Sequence, residues 1–197
     1  MLNAEDISLY WSVFKGLKPH DIMALAKLAH TKKLKAGEVY IQQGSTSQRL
    51  AYIRSGLIRT YSLKENGDDI TLMLRWEDQF VASVDSVIFG NPSRFIYQAL
   101  EDTVLMEVDY LKAKPLIDKS PELSVSSNSF IMHMLGQAME RVEEFVLLSP
   151  EERYLKLIQE KPGINNRVPD KYLATMLGIT PVSLSRIRKR IASQHKH

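Results

Sequence analysis

The chain has 197 residues, 44% of them hydrophobic and 25% charged, the balance of a globular protein with one large domain or one medium and one small domain. It contains no cysteine, which excludes disulfides, thiolate zinc sites and cysteine-ligated iron–sulfur clusters. The net charge of +3 hides an asymmetry: from Ser149 onward ten Lys/Arg meet four Asp/Glu, whereas the preceding 148 residues carry 16 and 19. An acidic body with a basic C-terminal piece points to a polyanionic partner.

No run reaches the roughly 18 apolar residues of a membrane span. The start, "MLNAEDISLYW", lacks the basic-then-apolar pattern of a signal peptide, so a cytoplasmic protein without a membrane partner is expected. "NAEDISLYWSVFKGL" and "PHDIMALAKLAH" predict N-terminal helices. From about Thr31 to about Val108, β-rich segments alternate with glycines, which predicts a compact antiparallel β-barrel or roll. Ile70, Leu72, Leu74 and Trp76 repeat with period two and predict a strand with one buried face. Asn66-Gly67 predicts a type I′ hairpin, in which both central residues take positive φ. Gly37, Gly44 and Gly56 mark corners of the roll.

From Pro121 the texture becomes helical. Ile131, Leu135, Ala138, Val142 and Phe145 are spaced 4, 3, 4, 3, an a/d seam over about two heptads. Such a seam serves either to pack the helix on the β-domain or to pair two copies in a parallel coiled coil, and two heptads leave both open. At "SPEER", Ser149 is a natural N-cap, Pro150 suits the first helical position, and Glu152 completes a capping box. The predicted division is therefore 1–120 for N-terminal helices and β-roll, 121–148 for the long helix, and 149–197 for a small C-terminal domain.

Within "PDKYLATMLGITPVSLSRIRKRI" a first helix, Asp170 to Leu177, would bury Leu173 and Leu177, and Gly178 permits a sharp turn. Thr180 can cap the next helix and Pro181 fits its first position. On that helix Leu184, Ile187 and Ile191 share one face at 100° per residue. The opposite face carries Val182, Arg186 and Lys189, flanked by Ser183, Ser185 and Arg190, while Arg188 near the apolar edge reaches outward along its stem. Ala174 is small where two steeply crossing helices approach. This is the pattern of a DNA-binding helix-turn-helix; the competing reading is a solvated basic helix end.

From about Phe14 to Ile191 the chain resembles the Crp/Fnr family of bacterial transcription regulators. "LKAGEVYIQQGSTSQRLAYIRSGLIRTYSLKENGDDITLMLRWEDQF" is similar to the family's β-roll, the helix at about 122–147 to its dimerisation helix, and "SPEERYLKLIQ" to the helix opening its DNA-binding domain. The resemblance implies an α+β fold with a cyclic-nucleotide-binding-like β-roll, a long dimerisation helix and a C-terminal helix-turn-helix. It also implies a homodimer on double-stranded DNA carrying an inverted repeat, which favours the coiled-coil use of the seam. Matched onto the family's recognition helix, Pro181, Val182 and Arg186 are the base-reading positions, and Thr180 and Ser183 contact phosphate. Pro181 and Val182 replace an Arg-Glu pair, so a different target sequence is expected. The family's β-hairpin wing follows the recognition helix, whereas this chain runs only a few residues past Ile191; the expected effect is on affinity, not register.

Cyclic-nucleotide binders of the family carry a Gly-Glu pair and an Arg-Ser/Thr pair. Ala82 and Ser83 stand at the first, Phe95 follows Arg94 at the second, and apolar Ala138 and Met139 lie where the base would meet the long helix. Cyclic-AMP dependence and a resident cofactor or metal are accordingly not expected. An unidentified small-molecule effector and RNA polymerase are further candidate partners. No Ser-His-Asp set, phosphate loop or H-E-x-x-H helix points to an enzyme. The alternative reading is a small-molecule sensor whose C-terminal helices bind a protein.

Overall fold

The computed structural model describes residues 17–194; apart from Leu17, the helix expected over 3–17 lies outside the described residues, as do His195 and His197. The contacts divide the chain into two units. One holds the chain up to Arg59 together with Leu74–Gly136, and the other holds Thr60–Met73 with the chain from Gln137 onward. This division falls inside the long helix and takes one hairpin with the C-terminal helices, unlike the sequence-based one at 120/121 and 148/149.

The first described helix, α1 (Pro19–Leu28), starts with proline at a first-turn position, where a missing N–H costs nothing. Eight strands follow: β1 (His30–Leu34), β2 (Val39–Ile41), β3 (Arg49–Ser55), β4 (Ile58–Leu63), β5 (Asp69–Arg75), β6 (Phe80–Ala82), β7 (Ile96–Ala99) and β8 (Thr103–Asp109). They form two four-stranded sheets, ordered β1-β8-β3-β6 and β2-β7-β4-β5. Leu34, Ile41, Ala51, Ile53, Ile58, Val81, Tyr97, Ala99 and Leu105 fill the space between the sheets as one buried cluster. Gly56 closes the β3–β4 corner at φ +100°, and a Cβ there would stand 2.3 Å from the Thr103 hydroxyl. Only glycine fits.

Between β6 and β7 lies α2 (Val84–Phe89), capped by Ser83. After β8 come α3 (Tyr110–Lys119) and α4 (Pro121–Leu147), the long helix. Leu123 of α4 is buried, and Phe130 meets Phe80 edge-on at 4.9 Å.

Two expectations change in the hairpin Thr60–Met73. The period-two stripe is broken: Thr71 and Leu74 are buried while Leu72 is 38% exposed. Thr71 belongs to the second unit, where its N–H, at the edge of the sheet, donates to Thr175 Oγ1 at 3.2 Å. The turn is not type I′ either. Gly67 has φ +85° but Asn66 does not share a positive φ. Gly67 N donates to Lys64 O, and Lys64 N donates to Asp68 O, the pattern of a type I turn followed by a left-handed glycine.

In the second unit, α5 (Pro150–Glu160), a short 3-10 turn (Ile164–Asn166), α6 (Asp170–Met176) and α7 (Pro181–Gln194) surround a core of Tyr154, Leu157, Ile164, Val168, Leu173, Leu177, Leu184 and Ile187. The capping box at its entrance is complete: Glu152 N donates to Ser149 Oγ at 3.3 Å and Ser149 N to Glu152 Oε2 at 2.8 Å.

Candidate nucleic-acid interface

The start of α7 is built by local chemistry. Ile179 N donates to Ala174 O, closing α6 against a turn in which Gly178 has φ +72°. Thr180 then accepts from Ser183 N through its hydroxyl, at 3.1 Å, and its carbonyl accepts from Leu184 N. Ala174, Leu173 and Leu184 are fully buried, and Ile187 nearly so, so the apolar face of α7 sits on α6. This burial aims the opposite face outward. Val182 is 61% exposed, and Pro181, Ser185, Arg186 and Lys189 are exposed with it.

The four basic residues of "RIRKR" divide into two pairs. Among the described residues, Arg186 and Lys189 have no ion-pair or hydrogen-bond partner on the side chain, and both keep their charge available. Arg188 and Arg190 do not. Arg188 turns inward instead of outward, a correction to its expected DNA-facing role: Nη1 donates to both Asp170 oxygens, Nη2 to Asn165 at 3.0 Å, and Nε to the Tyr154 hydroxyl at 3.2 Å. Burial lowers its proton affinity, but the bonds to Asp170 and Tyr154 outweigh it and the guanidinium is held charged. Arg190 pairs with Glu151 of α5. A shallow groove of about 580 Å³ runs between the start of α5 and α7, lined by Ser149, Glu151, Ser183, Arg186 and Arg190.

On α4 the seam residues Ile131, Leu135, Ala138, Val142 and Phe145 are exposed, and so are Met132, Met139, Val146 and Leu147. An apolar stripe of this extent on a helix surface marks an interaction face. Phe145 differs from the rest of the seam, since its ring also meets the guanidinium groups of Arg141 and Arg153. Arg141 is its neighbour one helical turn back, whereas nothing in the seam's spacing signals the contact with Arg153.

Similarity to known proteins follows the same division of parts. The profile of the cyclic nucleotide-binding domain matches residues 31–120, which cover the β-roll. The fumarate and nitrate reduction regulatory protein of Vibrio cholerae is 25% identical over 174 residues, spanning 81% of this chain and 67% of its own. The transcriptional regulator flp of Lacticaseibacillus casei is 23% identical over 188 residues, spanning 92% of this chain and 85% of its own. A Crp/Fnr-family regulator from Eubacterium rectale superposes with a TM-score of 0.71 at 18% identity, covering 94% of this chain and 88% of that one. These similarities support a Crp/Fnr-family transcription regulator.

In this chain Ser83 and Arg94, matched to the cyclic-nucleotide cradle, are both engaged by neighbouring residues of α2. Ser83, at the position of the family's glutamate, is fully buried and accepts from Ser86 N as the cap of α2. Arg94 Nε donates to Asp85 Oδ1 at 3.0 Å, its N–H donates to the same carboxylate, and its guanidinium lies 5.3 Å from the Phe95 ring. Asp85 is the residue missed by sequence matching; it stands beside the N-cap, nine residues before its partner. Phe95 packs on the core cluster, and the nearby Tyr97 hydroxyl is pushed up to about 12 by burial, so it stays protonated. Ala82 ends β6 half-buried and Met139 is exposed on α4. Among the described residues no group of three or more His, Asp or Glu side chains is placed to hold a metal ion, and no helix is long and apolar enough to cross a membrane.

Proposed function

We propose that this chain is a Crp/Fnr-family regulator, a cytoplasmic homodimer that reads an inverted repeat in duplex DNA without cyclic AMP. The observation that carries the reading is the outward face of α7. A capped, proline-opened helix offers Val182, Arg186 and Lys189 to the outside, while Arg188 is bonded within the domain and the exposed Arg190 is paired with Glu151. Arg186 supplies two parallel donors of the kind that grip guanine O6 and N7, worth about 1–3 kcal/mol of discrimination. Val182 offers a thymine methyl an apolar contact. Thr180, Ser183 and Lys189 supply phosphate contacts that set register.

Homodimerisation is supported by the exposed stripe on α4, which two parallel copies would bury. Two reading helices then enter successive major grooves about 34 Å apart. Independence from cyclic AMP is supported by the commitments of Ser83 and Arg94. Selection of bound duplexes from a random library by the ligand-free protein at physiological salt tests all three parts. An inverted repeat with half-sites about one helical turn apart is the expected product. Enrichment without a motif would remove the sequence-specific reading. Absence of any binding until cyclic AMP is added would remove the ligand-free one.

A further inference from the structure

Arg141 and Phe145 lie one turn apart on α4, and Arg153 lies on α5. The two guanidinium carbons stand 4.6 Å and 4.5 Å from the Phe145 ring centroid, both at cation–π distance. Two cations gathered on one ring repel each other. Burial, and then the charge of Arg141, lowers the proton affinity of Arg153, which is only 8% exposed. Backbone carbonyls and one carboxylate offset that cost.

Arg153 donates through Nη2 to Leu177 O at 2.9 Å and through Nη1 to Leu148 O at 2.6 Å. Arg141 donates through Nη2 to Met176 O and through Nη1 to Glu144 at 2.9 Å. Met176 and Leu177 close α6, where carbonyls lack an intrahelical partner and the helix dipole favours a cation. The next residue is Gly178, at which a Cβ would stand 3.0 Å from Phe145 Cε1. One ring and two planar forks therefore tie the end of α4, the start of α5 and the turn that aims α7. An arginine fork holds two acceptors at a fixed angle, which a lysine ammonium does not.

We propose that Arg141, Phe145 and Arg153 are positioning residues that set the angle between α4 and α7, and through it the half-site spacing that a dimer accepts. They leave the sequence of each half-site to Val182 and Arg186. The inference rests on the dimeric DNA-reading function proposed above.

The test measures binding of the full chain to a duplex with one half-site and to inverted repeats whose spacers differ by one base pair. Wild type, Arg141→Ala, Arg141→Gln and Arg141→Lys are compared, Arg141→Gln keeping a polar side chain of similar reach if Arg141→Ala unfolds the unit. In Arg141→Ala and Arg141→Gln, single half-site affinity is expected to stay within about twofold of wild type. Preference for the best spacer over its neighbours is expected to fall on the order of tenfold, the factor one hydrogen bond to a charged group supplies. Arg141→Lys restores part of it. Unchanged spacer preference in both variants overturns the proposal. So does an equal fall on single half-sites and on every spacer, the sign of a domain that has merely loosened. A wild-type protein with no spacer preference overturns the dimeric reading itself, before any variant is made.

Discussion

Arg188 on α7 holds Asp170 on α6 through both carboxylate oxygens, at 2.8 and 2.9 Å, so the two helices of the helix-turn-helix are tied by a charge that DNA was expected to receive. The remaining donors of the same guanidinium go to Asn165 and Tyr154. Arg188→Ala should therefore lower unfolding stability by about 1–2 kcal/mol, at the modest end because Asp170 is half exposed. Urea unfolding reads this directly. The salt dependence of DNA binding should not change.

Arg186 and Lys189 should behave in the opposite way. Arg186→Ala should relax preference at one base pair per half-site by about 1–3 kcal/mol, with stability unchanged. Lys189→Ala should weaken binding to all sequences alike and reduce the salt slope by about one. Titrations of the selected operator and its single-base variants at several salt concentrations separate the two effects. If Arg188→Ala alone altered base preference, the division of the basic tract would be wrong.

The exposed seam gives a third expectation. Leu135 is 53% exposed in the single chain, so Leu135→Asp removes little from a folded protomer. Across a parallel pair it would set two carboxylates into an apolar contact, where unpaired charge is strongly unfavourable. Sedimentation equilibrium should find monomers, with the unfolding midpoint of the protomer retained. A dimer of unchanged strength would place the subunit contact elsewhere.

How far the sequence disclosed these features depended on the range of the interaction. The capping box at Ser149 and Glu152, the Thr180 cap and the Gly178 turn were legible because each involves partners within a few residues. Leu173, Leu177, Leu184 and Ile187 were legible from helical spacing, and all are buried. The fate of Arg188 was not, because a helical projection ends at its own helix and Asp170 lies 18 residues away. The contact of Thr71 was hidden for the same reason: its partner, Thr175, is 104 residues distant. The Asn66-Gly67 turn erred more locally, since the Asn66 side chain satisfies Asp68 through Nδ2 and Oδ1 without a positive φ. The contacts of Arg141 and Arg153 end on carbonyls, which carry no trace in the residue types.

Acid should loosen the joint between α4 and α5. Burial raises the Glu144 carboxyl, but hydrogen bonds from Lys156 at 2.7 Å and Arg141 at 2.9 Å outweigh it and hold the group below its ordinary value of 4.5. The folded state thus binds this proton less readily than the unfolded chain. Its contribution is complete above the ordinary glutamate range and is lost as pH falls through the lowered value. Wild-type stability minus that of Glu144→Gln should be constant from neutrality to about pH 5 and shrink below it. Unfolding curves across that range measure it, and a difference that grew on acidification would contradict the pairing.

In the dimer proposed above, the uncovered stripe on α4 would also tie the protein's action to its own abundance. An inverted repeat needs two protomers at once. Below the dissociation constant of the pair, operator occupancy then rises with the square of protomer concentration, so halving synthesis costs roughly fourfold in bound DNA. Turnover of the chain itself becomes a steep control, set by mass action on one helix face.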